Sequence, residues 1–175
     1  MSFANASDFS FGVQTGVGFG GDQIIKSGTN TSTIESGDNF SFGVFVNTPV
    51  LFSDVYGKIA INFATESETY LDAEESFDRI PIDFLLMKRT EKYAFGAGLT
   101  YHASPSYEVT FNDNTNHKAD YDGALGLVLE AQRVLSNGIE LGLRYTNIRY
   151  KNADISGTDT VLTLNDSVEG SNFAL

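Results

Sequence analysis

Hydrophobic and polar residues alternate along residues 8–20 of the chain. The odd positions carry mainly large apolar side chains such as Phe9, Phe11 and Phe19. The even positions carry small or polar residues, namely Ser10, Gly12, Gln14, Gly16 and Gly18. Successive side chains of a β-strand point to opposite faces, and the small face here is unable to form a hydrophobic core. We therefore predict a strand whose apolar face meets lipid and whose other face lines a narrow lumen.

The same alternation recurs in seven further segments, while helical periodicity is absent. Apolar residues share one face within residues 40–46, 55–63, 80–86, 93–101, 121–131, 139–145 and, more faintly, 169–175. Several segments reach the roughly 9–11 residues that a tilted membrane strand needs. The pattern predicts an all-β fold, an eight-stranded antiparallel up-and-down transmembrane β-barrel. It forms a single domain over residues 1–175, with an N-terminal tail at 1–7.

The connections between these segments alternate in length. Long ones are predicted at about 20–38, 65–77, 102–120 and 151–168, and short ones at 47–54, 88–92 and 135–138. The last contains Ser136-Asn137-Gly138, in which Asn-Gly tolerates the positive φ of a tight hairpin turn. An up-and-down barrel with one rim facing the periplasm and the other facing outside gives this alternation.

Composition and charge narrow the functional classes. The 175 residues include 41% hydrophobic residues, 17 Gly and no Cys, which excludes disulfides and thiolate metal sites. The net charge of −12 argues against nucleic-acid binding, and no run of 18 apolar residues predicts a membrane helix. We expect no cofactor and no metal site. Residues 1–8 lack the basic and apolar regions of a signal peptide, so we expect that an exported protein has lost it.

Charge is divided between the two predicted rims. The second long loop carries carboxylates at Glu66, Glu68, Asp72, Glu74, Glu75 and Asp78, and the short turns carry Lys88, Arg89, Lys92 and Arg133. Ordinary solvated charges account for this pattern. The functional interpretation is that the acidic rim binds a cationic partner, or binds lipopolysaccharide through divalent cations.

Five charged residues lie on the face predicted to point inward, namely Lys58, Asp83, Glu130, Glu140 and Arg144. An eight-stranded barrel is too narrow for a wide aqueous channel, and unpaired charges there are costly. We predict that Lys58 and Arg144 neutralise Asp83 and Glu130, and that Gln14 and Asn62 add hydrogen bonds. Such a network would plug the lumen.

Aromatic residues mark the ends of the predicted apolar faces. The set comprises Phe9, Phe19, Phe40, Phe63, Tyr93, Tyr101, Tyr121 and Tyr145. Strands favour aromatic residues in general, but that preference does not explain their placement at strand ends. We predict that these rings form girdles at the two membrane interfaces.

Repeated alternation, aromatic strand ends and alternating loop lengths over residues 8–175 resemble the small eight-stranded outer-membrane barrels of Gram-negative bacteria. These include OmpX, the OmpA barrel, OmpW and opacity-type surface proteins. The resemblance implies an outer-membrane location, contact with membrane lipid and lipopolysaccharide, and a monomer. It also implies a structural or surface-interaction role and a surface protein partner. Such barrels usually end in an aromatic residue; this chain ends Phe173-Ala174-Leu175, and we expect that a short C-terminal piece is omitted.

Alternatives from other classes remain open. A narrow porin-like channel would need a wet lumen or a seam, and Pro81 removes a ladder hydrogen bond in mid-strand. Some related barrels are lipid A hydrolases with a His-x-Ser motif, which His102-Ala103-Ser104 fits in spacing, with Glu108 nearby. The motif is short and its His faces inward, so we expect no enzyme. A soluble lipocalin-like barrel is a fourth interpretation. Residues 107–111 are predicted to offer an exposed strand edge to a partner.

Overall fold

The alternating segments fold into β-strands. The computed structural model describes residues 8–22, 24, 35–69, 73–111, 116–135, 139–151, 154–157 and 167–175, and within these ranges it contains twelve β-strands. The strands are β1 Ser10–Phe19, β2 Asn39–Asn47, β3 Val55–Thr69, β4 Ala73–Arg89, β5 Tyr93–Phe111, β6 Asn116–Asp120, β7 Ala124–Val134, β8 Glu140–Asn147, β9 Arg149–Lys151, β10 Asp154–Gly157, β11 Ser167–Glu169 and β12 Asn172–Ala174. No helix in the described part of the chain has the length and hydrophobicity of a membrane span.

Eight antiparallel strands close into a barrel. Their order around it is β1, β2, β3, β4, β5, β7, β8 and β12, and β12 pairs back onto β1. Short interruptions separate β6 from β7, β8 from β9 and β11 from β12, so the chain crosses the barrel in eight passes. The predicted eight-stranded antiparallel up-and-down fold is confirmed.

The barrel has a lower rim, formed by the connections β2–β3, β4–β5 and β7–β8, and an opposite upper rim. The strands run further toward the upper rim than the sequence predicted. Residues 65–69 and 73–77 continue the β3–β4 hairpin, and β5 reaches Phe111. The predicted loops at 65–77 and 102–120 are therefore largely strand. Residues 107–111 are not a free edge, because they pair with β4 on one side and β6 on the other.

Most residues of the other predicted connections lie outside the part of the chain that the structure describes. Residues 136–138, which carry the predicted Asn-Gly turn, lie there. So do residues 25–34 of the first long loop and residues 158–166 of the last.

Strand β12 lies between β8 and β1 and closes the barrel. Strand β12 pairs with Gly18 and Phe19 of β1, and the backbone of Val17 exchanges hydrogen bonds of 3.1 and 3.0 Å with Leu175. Below this point, residues 10–16 pair with β2 alone, and residues 140–143 pair with β7 alone, among the described residues.

Below the upper rim, apolar side chains face outward and small or polar side chains face inward. Phe11, Leu127 and Leu143 are 80%, 60% and 61% exposed, whereas Lys58 and Asp83 are buried. Exposed large hydrophobic residues occur on every one of the eight passes. Together they form a continuous apolar belt, and we call the part of the molecule that it surrounds the lower barrel.

The direction of the apolar side chains reverses above the belt. Strand β5 points Leu99 and Tyr101 outward but Tyr107 and Val109 inward. The register between β4 and β5 shifts at Asp78 and Ile80, where residues 103–105 form a bulge. An extra residue in one strand moves every later side chain to the other face. We call the strand segments above this point, with β6, β9, β10 and β11, the upper extension.

Candidate functional site

The lumen of the lower barrel holds two buried ion pairs. Lys58 Nζ lies 2.7 Å from Glu130 Oε1. Arg144 Nη1 and Nη2 donate to the two carboxylate oxygens of Asp83 at 2.8 and 2.7 Å, a bidentate arrangement. Arg144 Nη1 also lies 3.7 Å from Glu130 Oε2, which joins the pairs into one network. The four residues come from β3, β4, β7 and β8, so the network ties both halves of the barrel together.

Neutral polar groups complete this network. Asn62 Nδ2 donates to Asp83 Oδ2 at 3.1 Å, and Gln14 Nε2 donates to Asn62 Oδ1 at 2.6 Å. Gln132 Nε2 donates to Glu130 at 2.6 Å. The Lys58 ammonium also stands 4.9 Å from the centre of the Phe45 ring, a cation–π distance. Each carboxylate therefore accepts bonds from a cation and an amide, which is what a buried charge needs.

Glu140 lies apart from this network. Its carboxylate is 3.5 Å from Arg89 Nη2 near the lower rim, where the Arg89 side chain is 46% exposed. Among the described residues, Glu140 thus pairs with Arg89 at the lower rim and forms no ion pair with Lys58 or Arg144, contrary to the prediction that it belongs to the lumen network.

An apolar layer fills the lumen beneath the ion pairs. Tyr56, Leu85, Met87, Ala94 and Val128 are all buried and form one cluster. The sequence analysis described the lumen through its charged and small residues and predicted no apolar layer there. Its residues follow the inward parity of β3, β4, β5 and β7, so the alternation rule did point to them.

A second apolar layer closes the interior from above. The cluster comprises Ile24, Phe77, Tyr107, Val109, Ala119, Tyr121, Ala124, Ile148, Tyr150 and Val168. Phe77 packs edge-on against Tyr121 and Tyr150, with ring centres 6.3 and 5.6 Å apart. These side chains belong to the upper extension, whose apolar face points inward. The polar layer is therefore enclosed between two apolar ones.

His102 lies between the ion pairs and the upper apolar layer. It is 5% exposed, and its Nδ1 is 2.6 Å from the Tyr150 hydroxyl oxygen. Ser104 is exposed and lies at the bulge with a φ of 49°. Among the described non-glycine residues, only Ser53 and Asp54 also have a positive φ. Glu108 accepts a hydrogen bond from Asn116 on the outer face. The His-x-Ser motif therefore spans a buried and an exposed position, with the ring nitrogen of His102 engaged by Tyr150.

Arg79 is the lumen residue that the sequence analysis missed. It is 2% exposed, and its Nη2 donates to the backbone carbonyl of Asp38 at 3.2 Å. Its guanidinium lies 4.9 Å from the centre of the Phe77 ring. The inward parity of β4, which places Asp83 in the lumen, also places Arg79 there, so the signal was present.

A polar cavity of about 150 Å³ lies within the lower barrel. Lys58, Arg79, His102 and Arg144 line it, together with Thr15 and Leu143. Pro81 also lines it, at a point where two residue pairs are missing from the β3–β4 ladder. The cavity thus adjoins the ion-pair network.

Most of the predicted girdle residues lie on the outer face. Phe9, Phe19, Phe40, Phe63, Tyr93 and Tyr101 are between 38% and 61% exposed. Tyr145 is half-buried against Phe173, with ring centres 4.8 Å apart. Tyr121 is a correction: it is 5% exposed and belongs to the upper apolar layer. The interruption between β6 and β7 at residues 121–123 shifts the parity, and continuous alternation through it gave the wrong face.

The predicted acidic residues divide between the two faces of the upper extension. Glu74 and Asp78 follow the outer parity of β4, whereas Glu66, Glu68 and Glu75 follow the inner parity of β3 and β4. Burial raises the pKa of Glu66, and the neighbouring Asp38 and Glu68 carboxylates raise it further. The acidic surface is therefore less extensive than the sequence suggested. Asp72 lies outside the described residues.

Comparison with protein-family models, with curated proteins and with solved structures gives no significant match to this chain.

Proposed function

We propose that the protein is an outer-membrane β-barrel protein of a Gram-negative bacterium with a structural or surface-interaction role. The observation that carries the proposal is the reversal of polarity along the strands. A strand exposes apolar side chains only where the surrounding medium is apolar, and it turns them inward where water surrounds it. The lower barrel and the upper extension would then lie in hydrocarbon and in water, respectively.

The height of the apolar belt supports this proposal. On β5 the outward apolar side chains run from Tyr93 to Tyr101. Eight residue steps of about 3.4 Å, tilted by about 40°, correspond to about 20 Å across the barrel. A transmembrane barrel carries an apolar band of about 25 Å. Soluble monomers rarely expose a contiguous apolar surface of this size.

The partners follow from the two rims. Basic residues Lys88, Arg89 and Lys92 lie at the exposed lower rim, next to the belt. Membrane lipid contacts the belt itself, and lipopolysaccharide would contact its upper edge on the outer leaflet. The outer face of the upper extension, which carries Glu74, Glu108 and Asp120, is the surface that meets a protein partner.

Arginine substitution in the belt tests this proposal. Leu127→Arg places a charge on the outward face of β7, where Leu127 is 60% exposed. In a bilayer we expect it to lower the free energy of unfolding by about 2–4 kcal/mol. The control Thr110→Arg, on the exposed outer face of the upper extension, should change it by less than about 0.5 kcal/mol.

Unfolding by urea in lipid vesicles, followed by heat-modifiable gel migration, measures both values. Equal effects of the two variants would overturn the proposal. So would a wild-type protein that stays monodisperse without detergent, which is the behaviour of a lipocalin-like soluble barrel.

The two apolar layers argue against the alternative of a narrow channel. Ions crossing the lumen would have to pass Tyr56, Leu85 and Met87 below the ion pairs and Phe77 and Tyr150 above them. We expect no single-channel conductance in planar bilayers. Stable conductance that changes with Asp83→Asn would favour the channel instead.

A further inference from the structure

The guanidinium of Arg79 is buried, and its hydrogen-bonding capacity is only partly used. The ion pairs in the lumen join Lys58 to Glu130 and Arg144 to Asp83, and no ion pair among the described residues includes Arg79. Its Nη2 donates to a neutral backbone carbonyl, and no hydrogen-bond acceptor in the described part of the chain reaches its Nη1. A buried guanidinium without a carboxylate is unfavourable unless another anion compensates its charge.

The surroundings of Arg79 form a site of suitable size. Arg79 lines the polar cavity of about 150 Å³ together with His102, Asn39 and Asn172. The amides of Asn39 and Asn172 both donate to the carbonyl of Gly37, at 2.8 and 2.6 Å, which fixes the turn that holds Arg79 Nη2. Phe77 supports the other face of the guanidinium. The guanidinium is therefore held in one orientation before any ligand arrives.

The charges along the cavity favour a negatively charged ligand. Three cations line it, namely Lys58, Arg79 and Arg144. Its two lining carboxylates, Glu130 and Glu140, already contact Lys58 and Arg89, respectively. The Nη1 of Arg79 is free to donate to an oxygen of a carboxylate or phosphate, the anions that a guanidinium group binds best.

We propose that the lumen binds a small oxyanion of the carboxylate or phosphate type at the Arg79 guanidinium. A lipid headgroup is excluded as the ligand by the depth of Arg79, which is 98% buried within the barrel.

One residue of the protein competes with this proposal. Glu66 follows the inner parity of β3, and its neighbour in the ladder, Phe77, is two residues from Arg79. Glu66 is half-buried, and the charge of Arg79 counteracts the rise in the pKa of its carboxyl, but no ion pair joins the two residues among the described residues. The experiment therefore includes Glu66 as well as Arg79.

Inorganic phosphate and acetate are titrated into the refolded protein in detergent micelles, at ionic strength matched with sodium chloride. The side-chain NMR signals of arginine report binding, and the urea midpoint reports stabilisation by a ligand that binds only the folded state. We expect saturable binding, with Arg79→Gln weakening it about 10- to 100-fold. The control Arg149→Gln, at a side chain 60% exposed and paired with Glu169, should leave it unchanged.

Further variants keep the test decisive. If Arg79→Gln does not fold, Arg79→Lys is used instead, because it keeps the positive charge but lacks the guanidinium N–H groups. An affinity for phosphate equal to that of wild type in Arg79→Lys overturns the proposal. Phosphate binding seen only in Glu66→Gln also overturns it, because Glu66 would then be the native partner of Arg79. Heat-modifiable migration is recorded in parallel, so loss of the anion site is distinguished from failure of the outer-membrane proposal.

Discussion

The lower barrel and the upper extension are built from the same strands but place their apolar residues on opposite faces. On β4, Phe84 is 53% exposed on the outside of the lower barrel, while Phe77 is 1% exposed inside the upper extension. The interiors differ accordingly, since one is organised by charges and the other by aromatic rings. Burial in this molecule therefore follows the medium around each segment and not the hydrophobicity of the residue alone.

Asp83→Asn is expected to have the largest effect on this contrast. It removes the charge of the fully buried Asp83 and leaves the half-buried Arg144 guanidinium without its bidentate partner, and breaking such a pair costs about 3–5 kcal/mol. Urea unfolding of the refolded protein in detergent measures the loss. The control Asp78→Asn, on the outer face of the same strand, should stay within about 0.5 kcal/mol of wild type. Wild-type stability in Asp83→Asn would show that the lower interior does not depend on charge.

A pair of Phe→Leu substitutions compares the two faces of β4 directly. Phe77→Leu removes two edge-on aromatic contacts and some buried volume, for an expected loss of about 1–2 kcal/mol. Phe84→Leu leaves an apolar side chain on the apolar belt and should change stability by less than about 0.5 kcal/mol. The same unfolding assay ranks them. The reverse order would mean that the upper extension is not a packed core.

Tyr150→Phe probes the boundary between the two interiors. It removes the hydroxyl that lies 2.6 Å from His102 Nδ1 but keeps the ring against Phe77. The expected loss is about 1 kcal/mol, the usual net value of one hydrogen bond. Tyr93→Phe, whose ring is 46% exposed at the lower rim, is the matched control. A loss as large as that of Asp83→Asn would place Tyr150 within the ionic network.

Lys118→Gln should have the smallest effect. Lys118 Nζ lies 2.9 Å from Asp120 Oδ1 on the exposed face of β6. The hydrogen bond from Lys118 lowers the pKa of Asp120 below its ordinary value of 3.8. The pair therefore stabilises the fold above that value and loses its contribution as the pH falls through the folded pKa.

Because the Lys118–Asp120 pair is solvated, we expect less than about 0.5 kcal/mol at pH 7, screened by salt. Unfolding at pH 7 and at pH 2.5 measures the difference between variant and wild type. A difference that persists at acidic pH would contradict this assignment.

Much of the lower barrel follows from period-two alternation. The parity rule places Lys58, Asp83, Glu130 and Arg144 in the lumen, and their depth from the short turns brings them to one level. The rule uses only the geometry of a strand, and it holds as long as the strand is regular. Because most strands of the lower barrel are regular, the same rule also predicts the outer apolar belt and the number of strands.

The upper extension is where the same rule failed. Tyr107 and Val109 alternate with Ser106 and Glu108 as clearly as any other segment. The sequence analysis assigned them to the long loop at 102–120. Tyr107 and Val109 occupy odd positions, as do Tyr93 and Tyr101, so uninterrupted alternation would point them outward, whereas the structure points them inward. The bulge at residues 103–105 causes the change, and Pro105 beside the positive φ of Ser104 is its local signal. The ladder register between strands, which places Glu130 opposite Arg144, also decides which charged residues come into contact. Alternation along a single strand carries no information about this register.

The unequal lengths of the ladders set where the structure opens first. In the described part of the chain, β4 and β5 share the longest ladder, whereas β9 and β11 form a separate two-stranded sheet of three residue pairs. Local opening begins where the fewest backbone hydrogen bonds must break. Amide protons of β9 and β11 should therefore exchange with solvent earliest, and those of β4 and β5 last.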